Sequence, residues 1–64
     1  MKSVAERIKE ARLALGMSQK ELAEAIGVSD SAIQMYECGQ RIPRDSIKEK
    51  LSAALKRPIQ DLFF

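Results

Sequence analysis

Apolar residues recur along the chain at helical spacing, and glycine or proline interrupts each run. Val4, Ile8, Ala11, Leu13 and Leu15 predict a first helix over about residues 3 to 15, closed by Gly16 as a left-handed cap. Ser18 with Glu21 has the spacing of a capping box, in which hydroxyl and carboxylate each satisfy a free backbone N–H. It opens a second helix with Leu22, Ala23 and Ile26 on one face and Gly27 at its end. Ser29 is the N-cap expected for a third helix, whose apolar face is Ile33 and Tyr36 with the small Ala32 beside them; Gly39 stops it. A loop containing Pro43 leads to a fourth helix with Ile47, Leu51, Ala54 and Leu55 on one side. Pro58 suits the first turn of a short final helix presenting Ile59, Leu62 and Phe63. No stretch alternates as a strand would, and no repeat or low-complexity segment is present. The expected fold is all-α, with five short helices around one small core in a single domain, residues 1–64.

Size and composition limit what such a domain can do. A chain of 64 residues buries only about 60% of the surface of its unfolded form. An apolar share of 45% with 31% charged residues is that of a soluble globule rather than a disordered segment. No apolar run is long enough to span a membrane, and Met1 leads straight into a charged helical pattern rather than an apolar leader. Cys38, the only cysteine, has no internal partner for a disulfide, which fits a reducing cytoplasm. Without histidine and with one thiol, little remains for metal binding or nucleophilic catalysis. The expectation is no enzyme, no metal, no cofactor and no small-molecule ligand.

A net charge of +2 identifies no partner, but its distribution is uneven. Residues 41 to 57 hold Arg41, Arg44, Lys48, Lys50, Lys56 and Arg57 against Asp45 and Glu49, a balance of +4. Residues 29 to 39 hold only Asp30 and Glu37, a balance of −2. Lys48, Lys50 and Lys56 can also be read as no more than a solvated helix face.

Residues 19 to 38 carry the more specific signal. Two helices crossing at a steep angle need a short turn, often with glycine, and a small residue at their closest approach. Gly27 stands at the turn, Ala23 is the small residue, and Leu22, Ile26, Val28, Ile33 and Tyr36 are available to fill the wedge. On Gln19, the L-A-x-x-I-G-V-S run from Leu22 to Ser29, Ile33, Glu37, Gly39 and Pro43, the chain closely resembles the phage repressor and Cro-like helix-turn-helix family, also called XRE. The resemblance covers about residues 4 to 63.

The resemblance implies a lambda-repressor-like domain that binds double-stranded DNA, with the third helix in the major groove. Transferred position by position, the base-reading residues are Asp30, Ser31, Gln34 and Met35. Gln34 is suited to bidentate bonds with adenine and Ser31 to several bases. Met35 can meet a thymine methyl group or fold back over Ile33 or the first helix. Asp30 can accept from a cytosine amino group, but its placement at the helix start is already favoured by the helix dipole. Backbone contacts fall to Gln19, to the helix start at Ser29, and to Gln40, Arg41 and Arg44 in the following loop. Lys9, Arg12 and Arg7 are further candidates. The resemblance also implies that Arg12 pairs with Glu37, fixing the third helix against the first, a structural role that outweighs phosphate contact. Cys38 is expected to be small and partly covered.

The last third departs from the family pattern. Asp45 and Lys48 stand where apolar residues are usual, as does Arg57 after the fourth helix, so a shifted or shorter start is expected there. The surplus apolar end, Phe63 and Phe64 with Ile59, suggests an association face. One recognition helix reads few base pairs, and operators commonly present two half-sites about 34 Å apart. The resulting expectation is a homodimer through the fifth helix and neighbouring loop, occupying an inverted repeat and repressing by occlusion. A protein-interaction module, such as an antitoxin or co-regulator, is the alternative. The absence of lysine and arginine from the third helix favours it, and the Arg41–Arg44 loop opposes it.

Overall fold

The computed structural model describes residues 2–64. Five α-helices follow in order: α1 Val4–Ala14, α2 Gln19–Ile26, α3 Asp30–Glu37, α4 Asp45–Leu55 and α5 Ile59–Phe63. No strand occurs among the described residues.

Local chemistry sets the helix ends. Ser18 and Glu21 form the expected box at the start of α2: the Glu21 N–H donates to Ser18 Oγ (3.0 Å) and the Ser18 N–H donates to Glu21 Oε1 (2.8 Å). The bond from the Ser18 backbone, then that from its hydroxyl, lowers the Glu21 carboxyl pKa against a small opposing effect of burial. A second box, Ser3 with Glu6, starts α1 and was not anticipated. Gly27 ends α2 at φ +73°, a conformation expensive for residues with a Cβ, and lets the Val28 N–H reach the Ala23 carbonyl at 3.0 Å. The chain then turns through residues 27–29 directly into α3.

The core is the set of inward faces. Ile8 and Ala11 of α1, Leu22, Ala23 and Ile26 of α2, and Ala32, Ile33 and Tyr36 of α3 are buried with Leu51, Leu55 and Leu62. α3 packs on both α1 and α2, while α4 lies across α2 and α5. Val28 is half-buried at the edge of this cluster. Ala23, the small residue expected at the α2–α3 crossing, is 1% exposed.

Two assignments in α1 fail. Leu13 is 56% exposed and Leu15 is also exposed, so neither belongs to the core face. At about 100° per residue, Leu13 lies about 140° round the helix from Ile8, whereas Arg12 lies only about 40° away. Leu15 has the right phase but falls on the C-cap, beyond the last turn. The inward position belongs to Arg12, which is buried.

The C-terminal departures are accommodated without loss of α4. Asp45 begins the helix with its side chain in solvent, at a site where a carboxylate suits the helix dipole. Lys48 lies with Nζ 5.4 Å from the Phe63 ring centroid, so its stem and charge cover an aromatic face. Arg57 is exposed, and Pro58 is the N-cap of α5 rather than a member of its first turn. Of the three apolar residues offered by α5, Leu62 is fully buried and Ile59 and Phe63 are partly so.

Candidate nucleic-acid interface

The start of α3 is fixed by Ser29, whose hydroxyl accepts from the Ala32 N–H at 3.1 Å. Burial of Ala32, Ile33 and Tyr36 then dictates which positions remain outside. Asp30, Ser31 and Gln34 are exposed, and Met35 is half-buried. None of these four side chains has a hydrogen-bond or ion-pair partner among the described residues. They form an unpaired strip along the outward side of a helix clamped on its other side.

The clamp includes a charged cluster. Arg12 donates from Nε to Glu37 Oε2 (2.7 Å) and from Nη2 to Glu37 Oε1 (3.0 Å), a bidentate pair between α1 and the end of α3. Its Nη1 donates to the Met17 carbonyl at 2.8 Å, just before α2. The side chains of Arg12 and Glu37 are only 8% and 4% exposed. The hydrogen bond to Glu37 raises the Arg12 pKa; burial opposes this and the Glu37 charge reinforces it. Every nitrogen of this guanidinium makes a hydrogen bond within the domain. Gln19 joins the cluster, its Nε2 donating to Glu37 Oε1 at 3.2 Å. That bond spans separate helices and was not foreseen.

Around the strip, the candidates fall into two groups. Lys9, Gln19 and Gln34 line one shallow hollow of about 350 Å³ with Glu37 and Cys38, so residues from three helices converge beside the exposed strip of α3. Arg41 and Arg44 line another hollow, of about 310 Å³, past the C-terminal end of α3, and Gln40 is exposed nearby. Gly39, at φ +77°, redirects the chain into this loop, with the Gln40 N–H bonded to the Met35 carbonyl at 3.0 Å. Arg7 is drawn elsewhere, donating to the Phe64 carbonyl at 3.0 Å. Cys38 is exposed rather than partly covered, because it lies at the cap beyond the buried turn of α3; its Sγ contacts the Gln34 carbonyl at 2.6 Å.

The candidate association residues lie toward the chain end, beside a groove that adjoins the Arg41 loop. Phe64 is 80% exposed, as is Ile42, which the sequence reading overlooked. Ile42 and Phe63 border a groove of about 730 Å³ with Val4, Tyr36, Pro43 and Lys48. The available signal for Ile42 was an apolar residue between Arg41 and Arg44, outside any helical period.

Comparison with known proteins follows the same lines. The family model described as "HTH_3: Helix-turn-helix" matches residues 8–62. The chain is 37% identical over 57 residues, 89% of its length, to an uncharacterized HTH-type transcriptional regulator of Archaeoglobus fulgidus, of which it covers 81%. It is 35% identical over 54 residues, 84% of its length, to multiprotein-bridging factor 1 of Schizosaccharomyces pombe. It spans only 36% of that protein, and about half of another longer curated relative. Among solved structures, the P22 c2 repressor in complex with a synthetic operator superposes with a TM-score of 0.95 at 30% identity, covering 98% of this chain and 96% of the repressor chain.

Proposed function

The chain belongs to the helix-turn-helix family, in its phage repressor-like XRE branch, and from that membership we propose a sequence-specific regulator of transcription that docks α3 in the major groove of double-stranded DNA. The carrying observation is the unpaired strip of Asp30, Ser31, Gln34 and Met35 on a helix held from behind by Ile33, Tyr36 and the Arg12–Glu37 pair. In this reading Ser31, Gln34 and Met35 face base edges, with Asp30 at the helix start. Lys9 and Gln19 take the backbone on one side, and Gln40, Arg41 and Arg44 take it on the other. Ser29 contributes through the helix start, since its hydroxyl is occupied by the cap. A homodimer through Ile59, Phe63 and Phe64 would match an inverted repeat, and occupancy of a promoter would repress it. The free thiol of Cys38 suits a cytoplasmic setting.

The test is selection from a pool of random duplexes followed by a salt titration of the enriched site. We expect an inverted repeat whose binding constant falls linearly with salt on logarithmic axes, with a slope of about −0.9 per phosphate contacted. No enriched sequence, or no salt dependence, would end the reading. Sedimentation with and without that duplex tests the dimer, and a monomer in both conditions at high concentration removes it.

The match to multiprotein-bridging factor 1 favours a second reading, in which the same fold docks a partner protein. A chain that enriches no duplex would move to this class.

A further inference from the structure

Glu37 has two acceptor oxygens and, paired with a guanidinium, no proton to donate. The oxygen 3.2 Å from Gln19 therefore selects one of the two flip states of the Gln19 amide, with Nε2 toward the carboxylate. Among the described residues, the second N–H of that amide and its carbonyl oxygen have no partner. Gln19 meanwhile borders the hollow shared with Lys9 and Gln34. The carboxylate that orients it is itself fixed by Arg12, which also holds the Met17 carbonyl. The amide is thus referenced to α1, to the start of α2 and to the end of α3 together.

We infer that Glu37 is a positioning residue for DNA binding, holding the Gln19 amide in the orientation that presents its free N–H to a phosphate oxygen at the start of α2. This rests on the DNA-binding reading above. A glutamine at an exposed helix start samples several rotamers and both flip states. Freezing them on binding lowers affinity by roughly two- to tenfold, a loss that Glu37 removes in advance. The arrangement also gives the ion pair a consequence beyond stability, because a displaced Glu37 releases Gln19 even in a folded domain.

A double-mutant cycle on the duplex enriched by the parent chain tests this. Gln19→Met keeps length and helix propensity but removes the amide. Glu37→Asp keeps a charge opposite Arg12 but withdraws its oxygens by one methylene. Circular dichroism at the assay temperature must show each variant folded. We expect each single variant to weaken binding by roughly three- to tenfold and the double variant to be no weaker than the poorer single. A purely structural Glu37 would lower the melting temperature of Glu37→Asp and leave Kd of the folded protein unchanged, and that result, or additive losses, overturns the inference. If Glu37→Asp does not fold, the Gln19 side-chain amide of the free parent chain is read by NMR. A dispersed pair of signals with slowed exchange supports the inference, and an averaged, rapidly exchanging pair overturns it. Failure to enrich any duplex overturns the underlying reading as well, whereas enrichment without coupling overturns the inference alone.

Discussion

Glu37→Leu removes a carboxylate that is 4% exposed and leaves the Arg12 guanidinium buried with only the Met17 carbonyl. Loss of one member of a buried pair costs about 3–5 kcal/mol, because the remaining charge keeps its desolvation penalty and loses its compensation. At about 0.05–0.15 kcal/mol per residue, the whole domain holds about 3–10 kcal/mol, so this one change removes a third or more of it. Arg12→Met should cost a similar amount by stranding Glu37 with the Gln19 amide. The double variant abolishes both desolvation penalties. It leaves the Met17 carbonyl short of one hydrogen bond, about 1 kcal/mol, and returns Gln19 to water. We therefore expect the double variant within about 1–2 kcal/mol of the parent and well above either single. The assay is urea unfolding followed at the helical dichroism band. With a slope of about 1 kcal/mol per molar urea, the singles shift the midpoint by about 3–5 M or unfold in buffer. Because Arg12 is the group with a raised pKa, its share of this stability is lost only as pH rises through the folded value, far above neutrality, and is constant around pH 7. A single variant costing under about 1 kcal/mol, or additive costs in the double, would show that water already reaches the pair and refute the reasoning.

Lys56 ends α4 at φ +57°, the only non-glycine residue with positive φ among those described. Lys56→Gly should raise stability by up to about 1 kcal/mol in thermal unfolding, since the strain of about 1–2 kcal/mol is relieved and part is returned as unfolded-state entropy. Gln34→Ala should relax specificity at one base pair by about 1–3 kcal/mol in competition binding. Arg41→Ala should weaken all sites alike and reduce the salt slope by about one. Glu21 has a lowered carboxyl pKa, so the stability it lends α2 is present above its unfolded value and fades as pH falls through the folded one. A carbon-detected NMR titration should place its midpoint below the usual glutamate range.

The periodic part of the sequence was legible because each helix buries one face and ends on a residue with a specific backbone preference. Gly16, Gly27 and Gly39 all adopt the left-handed conformation expected of helix-ending glycines. The misreading of α1 came from counting leucines without their phase, where the charged Arg12 held the inward position and Leu13 did not. Burial of that arginine is not a local property: it depends on Glu37, which lies 25 residues away. That pairing was legible through the family resemblance, whereas the Gln19–Glu37 bond was hidden, since a polar pair 18 residues apart has no period to betray it. Ile42 escaped because irregular loops give apolar residues no face to share. The outward strip of α3 was the most legible part of the candidate site, being the complement of a buried face.

Asp30 is the one feature of that strip that works against a polyanion, and magnitudes decide how much it matters. Its carboxylate at the first position of α3 gains about 0.3–1 kcal/mol from the helix dipole. At a separation of about 8 Å in water, repulsion from a single phosphate is about 0.5 kcal/mol before salt reduces it further. The dipole gain is present in free and bound protein alike and so does not offset the repulsion, which is nonetheless too small for Asp30 to prevent docking. What remains is chemical. A carboxylate pressed against guanine O6 and N7 meets only acceptors, whereas against cytosine it meets an amino donor, a difference of about 1–3 kcal/mol. In the proposed docking, Lys9, Arg41 and Arg44 would meet the backbone at the flanks of α3. The helix between them holds no cation to reward every sequence equally. In the proposed docking, affinity is therefore supplied mainly outside α3 and discrimination within it, which makes a second copy on the neighbouring half-site the natural route to tight binding.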